Sequence, residues 1–499
     1  MADIAQRRDY PALATDIYIS TMLLLFPLFT GFSGYGNITF SKYLFFIIAT
    51  ALWLCAGIIL AIAKKSLPPL ALPQYAAMLF ALCCIISFLL SPYKGESLVG
   101  AGRYEGLITQ LIYALIIIGV SLWGKARPRH IICLAFSTAI CSIVGIVQLF
   151  NIDIFNLFLG TYSHYDSSYK YSGAFLGTMG NTNVLSAFYC LALPTLFVYP
   201  IAAKSKQSFL TLLAICPATF AFNRIGVSGG FLAMGLCALV AAPIILADVE
   251  KLRRALLLIP PIVLSAACAL AFKPSYDLVH FSWRFDFRSI PTLLIIGAMV
   301  CFAAWAILPR LNICPGKKAL RIFLIFLCIA ILILGLIFVY FSTAEEGTVY
   351  EFRELLHGRI DEKFGSSRIL IWRECLKLFP EHPLFGSGPD TLALRVNVSF
   401  SRFVEETGKT LRSGVDNAHN EYLGCLINIG VFGLCAYLLL LMLGLGNWLK
   451  SLCKAEYCAM GTAVLCYSIQ SFFALGLPLV SPVFLIILAL LLGGERKYQ

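Results

Sequence analysis

Fourteen apolar stretches, nearly free of charge and each close to the length of a bilayer crossing, constrain this chain more than any other feature. They lie near residues 17–33, 43–63, 70–90, 106–123, 131–150, 181–202, 207–223, 225–247, 255–272, 290–309, 322–342, 420–447, 457–475 and 478–494. A spanning helix needs roughly 20 predominantly apolar residues, so this many spans among 499 residues leave little for a soluble domain. Composition agrees: 13% of the residues are charged, against roughly 25% in soluble domains. The expected fold is an all-α integral membrane protein, a bundle of about 12–14 transmembrane helices. A water-soluble globule and a disordered chain are both excluded. Two divisions rest on helix breakers, at Asn223, Gly226, Gly229 and Gly230 and at Gly476, Pro478 and Pro482, which split two long apolar runs into hairpins.

The net charge of +12 is a topology signal. With the amino terminus cytoplasmic, the inner connections carry 20 Lys and Arg residues and the short outer ones 8, as the positive-inside rule requires. Both termini are then cytoplasmic, and no nucleic-acid partner is implied. The same parity divides the chain into helices 1–11 over 1–342, one large extracytoplasmic loop over 343–420, and helices 12–14 over 421–499. The 18 cysteines lie almost all within apolar runs without ligand spacing and read as small core residues. The polar amino-terminal 16 residues precede a retained helix rather than a cleaved signal.

The loop carries two segments with apolar residues at helical spacing, VYEFRELLHGRIDEKF and SSRILIWRECLKLF, expected as amphipathic helices at the membrane surface. Ser366 and Ser367 are expected to cap the second, which begins at Arg368. An arginine in a first helical turn opposes the helix dipole, so Arg368 either serves an anionic ligand or pairs with a nearby acid such as Asp361 or Glu362. Arg224 lies between two spans with no acid in the surrounding apolar stretch. It either caps a hairpin turn at the interface or binds an anion at the outer mouth of the bundle. His419, in DNAHNEYL, stands among polar residues where the chain re-enters the membrane; it is either a surface histidine or a base matched to neutral pH. No paired-carboxylate motif, nucleotide fingerprint or HExxH is present, and this inventory suits a diphosphate bound without a metal or other cofactor.

The runs SSRILIWRECLKLFPEHPLFGSGPD and NAHNEYLGCLINIGVFG resemble the R-x-x-x-W, F-x-x-x-P-x-x-G-x-G and H-N-x-[YF]-L-x6-G-x-x-G signature of the O-antigen ligase and polymerase superfamily. GRYEGLITQLIY is similar to its R-x-x-G-L-x-T segment and GTMGNTNVLSAFYCLALP to its G-T-x-G-N-x-N segment, with Thr182 where proline is usual. Asn223-Arg224-Ile225-Gly226 stands where the family has Ser-Arg-Gly. The resemblance implies a C-type, all-helical glycosyltransferase at the outer face of a bacterial inner membrane. It implies transfer of a glycan from undecaprenyl diphosphate to an acceptor hydroxyl. Arg224 and Arg368 would hold the diphosphate and His419 would be the general base, with Arg103, Arg412 and Asp416 as second-rank site residues. Ligation, polymerisation and transfer to a protein share the donor chemistry, so glycan, lipid and protein acceptors all stay open. A transporter would place charges at the midplane between repeats; no internal repeat is evident.

Overall fold

The computed structural model describes residues 9–64, 68–150, 152–158, 175–203, 205–276, 281–311, 316–404 and 409–494. Among them, helices occupy all fourteen expected positions: α1 (Tyr10–Leu24), α2 (Ile38–Lys64), α3 (Leu72–Leu90), α5 (Leu107–Trp123), α6 (Pro128–Gln148), α7 (Thr182–Ala202), α8 (Leu212–Ile225), α9 (Ser228–Ile245), α10 (Val249–Ala271), α11 (Ile290–Ile307), α12 (Lys317–Tyr340), α15 (Glu421–Lys450), α16 (Ala455–Gln470) and α17 (Ser481–Gly493). Ten are long and apolar enough to cross a membrane, and α5 and α17 are shorter apolar helices. The chain is an all-α integral membrane protein. Three further helices, α4 (Lys94–Val99), α13 (Gly347–Leu356) and α14 (Phe364–Leu378), lie between the apolar ones.

Buried and lipid-facing helices separate by composition. The paired helices α7 and α16 form the centre, and nearly all of α7 is buried. Asn181 starts α7, its side chain accepting from the backbone N–H of Asn183 at 2.8 Å and of Val184 at 3.3 Å, which satisfies two of the donors a helix start leaves orphaned. The helices α11 and α12 lie at the periphery, α12 with almost all of its Leu, Ile and Phe side chains exposed; only a hydrocarbon solvent tolerates that surface.

On the face opposite the large loop, the carboxylate of Asp16 gathers Arg127 (3.3 Å), Arg129 and His130 (3.0 Å). Lys317 meets Asp248 at 3.3 Å on the same face.

Two features differ from the sequence expectation. The connections contain two antiparallel hairpins, β1 (Phe272–Tyr276) with β2 (Phe281–Phe285) and β3 (Ser399–Val404) with β4 (Lys409–Gly414), whose short alternating strands are outweighed in the sequence by their helical neighbours. The expected serine caps of α14 do not form. Gly365, Ser366 and Ser367 all have left-handed backbone, with φ of 63°, 59° and 63°, and neither serine caps the helix.

Candidate active site

Helix α14 docks on the start of α15 through Ile371 and Cys375, which face Leu423 and Ile427 in a small core completed by Leu392, Val415 and Ala418. Each pair is spaced i, i+4, one face of a helix, and each fully buried aliphatic side chain contributes about 1.5–3 kcal/mol. The indole Nε1 of Trp372 donates to the Ala418 carbonyl at 2.9 Å. Four residues earlier on the same face lies Arg368, so this bond sets the guanidinium beside the following residue, His419. That geometry accounts for an Arg and a Trp four apart.

His419 is held from its other side as well. Its backbone N–H donates to the Asn417 side chain at 2.9 Å, and Asn420 caps α15 by accepting from the Leu423 N–H at 3.0 Å. Between these two anchors His419 has a positive φ of 45°, a conformation that costs a non-glycine residue of order 1–3 kcal/mol and that clusters at functional sites.

Asp416 accepts from Arg103 Nε at 2.8 Å and from a second nitrogen of the same guanidinium, and also from the Asn417 amide. Arg103, Asp416 and His419 line one cavity of about 150 Å³ with Glu105, Asp390 and Glu421. Burial, and next the charges of Arg368 and Arg103, push the His419 imidazole down to about 4, with Asp416 opposing. At neutral pH the ring is therefore neutral and able to accept a proton. Burial also dominates at Glu105, which rises to about 8 while its carboxylate oxygens accept from Tyr113 at 2.8 Å and Gln110 at 2.9 Å.

The chain reaches the cavity by a close crossing. Residues 383–388 run against α15 where that helix breaks at Gly430 (φ 72°). The N–H of Gly388 donates to Asn428 O at 3.0 Å, and those of Val431 and Phe432 donate to Pro383 O at 2.9 Å and Leu384 O at 3.2 Å. A Cβ at Gly386 would stand 2.3 Å from the Asn428 carbonyl carbon, and one at Gly430 would stand 2.3 Å from that of Leu384. Backbone meets backbone, so neither side can give. Gly430→Ala is expected to cost about 2 kcal/mol or more, seen as a lower unfolding midpoint in detergent; an unchanged midpoint would contradict the crossing.

Residues 287–438 match the family model described as O-antigen ligase. That stretch is similar to the O-antigen ligase superfamily. The match suggests a glycosyltransferase-type enzyme of polysaccharide biosynthesis. No curated protein matches the chain at a significant level. The O-antigen ligase match includes Arg368, Asp390, Asp416 and His419, whereas Arg103 and Glu105 come from the loop between α4 and α5, which precedes it.

The structure thus brings Arg103, Arg368, Asp416 and His419 together. Arg368 pairs with neither Asp361 nor Glu362: its guanidinium donates to Gly365 O at 2.9 Å, its Nε is buried without a partner, and Glu362 pairs with Arg373. Arg224 departs from its expected isolation. Its guanidinium donates to Phe272 O at 3.1 Å and Ala269 O at 3.4 Å and lies over the Phe272 ring, because the end of α10 supplies the acceptors that the local sequence lacks. Neither it nor Arg368 is among the cavity-lining residues, but the charge of Arg368 acts on His419. The Arg224 turn does share the loop face, where Ser228 meets Thr348 of α13 at 2.9 Å. Arg412 belongs to β4, and its side chain lies outside the described residues. Sequence reasoning missed Glu105, Asp390 and Glu421, although all three stand inside the quoted GRYEG, GSGPD and HNEYL segments.

Proposed function

We propose that the protein transfers a glycan from undecaprenyl diphosphate to an acceptor hydroxyl at the extracytoplasmic face of the bacterial inner membrane. The observation that carries this reading is a neutral His419 lining a cavity with Arg103 and under the charges of Arg368 and Arg103. Positive-inside charge supports the orientation. The acceptor contributes only a hydroxyl, whether from a glycan, a lipid or a protein.

Arg368 and Arg103 hold the diphosphate, with Arg103 favoured over Arg224 because it lines the cavity. Guanidinium groups suit this because their planar forks meet phosphate oxygens bidentately. The acceptor oxygen forms the new bond to the anomeric carbon as the bond from that carbon to the diphosphate oxygen breaks. The diphosphate leaves with the electron pair, its growing charge stabilised by the arginines. The hydroxyl proton passes to the His419 imidazole. Asp416 orients Arg103. Transfer by the purified, reconstituted protein from undecaprenyl-diphosphate-linked glycan to a defined acceptor tests the reading, and absence of transfer to every acceptor class overturns it.

A basic limb is expected in the pH profile. Glu105 is neutral at pH 7 and ionises near 8, which adds a negative charge to the cavity that receives an anion. Transfer measured as kcat/KM should fall above pH 8, and Glu105→Gln, which cannot ionise, should remove that limb. A limb that persists in the variant assigns it to another group.

A further inference from the structure

The loop 100–106 is wound in an uncommon way: Gly100, Gly102 and Tyr104 have positive φ of 121°, 106° and 61°. Alternating signs of φ turn successive N–H groups to one side and make an anion-binding concavity. The occupant of that concavity is a side chain from far along the sequence. The carboxylate of Asp390 accepts from the backbone N–H of Glu105 at 3.4 Å, and the N–H groups of Arg103 and Ala101 act on it electrostatically. A Cβ on Gly100 would stand 2.5 Å from Asp390 Oδ2, so the carboxylate enters only because residue 100 is glycine. Asp390 itself has a strained φ of 55°.

Asp390 ends the segment that is fastened to α15 at Gly430, and α15 begins at the Asn420 cap beside His419. The loop it grips carries Arg103, which returns to Asp416 three residues before His419. A closed ring of contacts results. We propose that Asp390 is a positioning residue that templates loop 100–106 and so aims Arg103 at the His419 site. This rests on the donor-site reading above and names the group that assembles the site.

The charged and titratable groups that share its surroundings are Arg103 and Glu105 on the gripped loop, Asp416 and His419 before α15, and Glu421 on α15. Burial holds the Asp390 carboxyl up at about 6, opposed by the N–H groups and Arg103.

Hydrogen–deuterium exchange on the full chain in detergent tests this directly, without substrate. At pH 7.5 the 100–106 amides should exchange at least about tenfold faster in Asp390→Asn, the equivalent of about 1.4 kcal/mol. Asp390→Glu, which keeps the charge but displaces it, serves where the asparagine variant does not accumulate, and should show intermediate protection. With undecaprenyl-diphosphate-linked glycan as donor, Asp390→Asn should lower kcat/KM by about 10²-fold, and by no more than about twofold when Arg103 is already alanine. Unchanged exchange in 100–106, or a full loss added to that of Arg103→Ala, overturns the proposal. A wild-type protein that transfers nothing counts against the donor reading, while the exchange result still decides the role of Asp390.

Discussion

Replacing His419 with alanine should lower glycan transfer by about 10²- to 10⁴-fold, the range for losing a positioned general base. The loss should fall on kcat, since the ring acts on the proton that moves in the transition state and not on the donor's charge. The variant should still insert and fold. What holds this turn together is the Asn420 cap, the Asn417 side chain on the His419 N–H and the Trp372 bond to the Ala418 carbonyl, none of which uses the imidazole. His419→Asn is the stricter test, because asparagine tolerates the left-handed backbone found here better than alanine does. The lipid-linked donor should accumulate in cells carrying either variant. Transfer at the wild-type rate would remove His419 from the chemistry.

Arg368→Lys should cost about 10²- to 10³-fold in kcat/KM, comparable to removing a donor from an oxyanion hole. Charge is preserved in that variant, so the loss isolates geometry. The guanidinium is anchored by its bond to the Gly365 carbonyl, which leaves its other terminal N–H groups to meet a diphosphate oxygen. A lysine ammonium is a point charge on a flexible stem and cannot make both contacts. The three left-handed residues before Arg368 sharpen the expectation, because the carbonyl that anchors it belongs to that strained turn. Arg224→Lys should be much milder for donor chemistry, since that side chain is committed to the end of α10. Its main effect should be on thermal stability. Comparable losses at both arginines would mean that the diphosphate spans a wider area than the cavity at His419.

The positions of the helices were legible because each apolar run has to be satisfied within itself in a bilayer, which leaves helix as its one stable form. His419 and Arg368 were legible from their local company and motif spacing. Tertiary contacts decided the rest. Arg103 and Asp416 are 313 residues apart, and no periodicity reports that they meet. Glu105 and Asp390 read as ordinary loop acids until the fold encloses them; their protonation behaviour comes from burial and from each other's neighbourhood. Arg224 looked unpaired because its partners are backbone carbonyls, which have no sequence signature. Ser366 and Ser367 have the chemistry of caps, yet the docking of α14 through Ile371, Cys375 and Trp372 fixes where the helix must begin, and the preceding turn takes the strain.

The central claim is that one cavity on the loop face brings a lipid diphosphate to two arginines and an acceptor hydroxyl to His419. A density map of the protein with undecaprenyl diphosphate bound tests it most directly. Diphosphate oxygens at about 2.7–2.9 Å from the guanidinium nitrogens of Arg103 and Arg368, with the His419 ring facing the vacant acceptor side, is the predicted result. A diphosphate seated away from both arginines, or against the basic clusters of the opposite face, would contradict it.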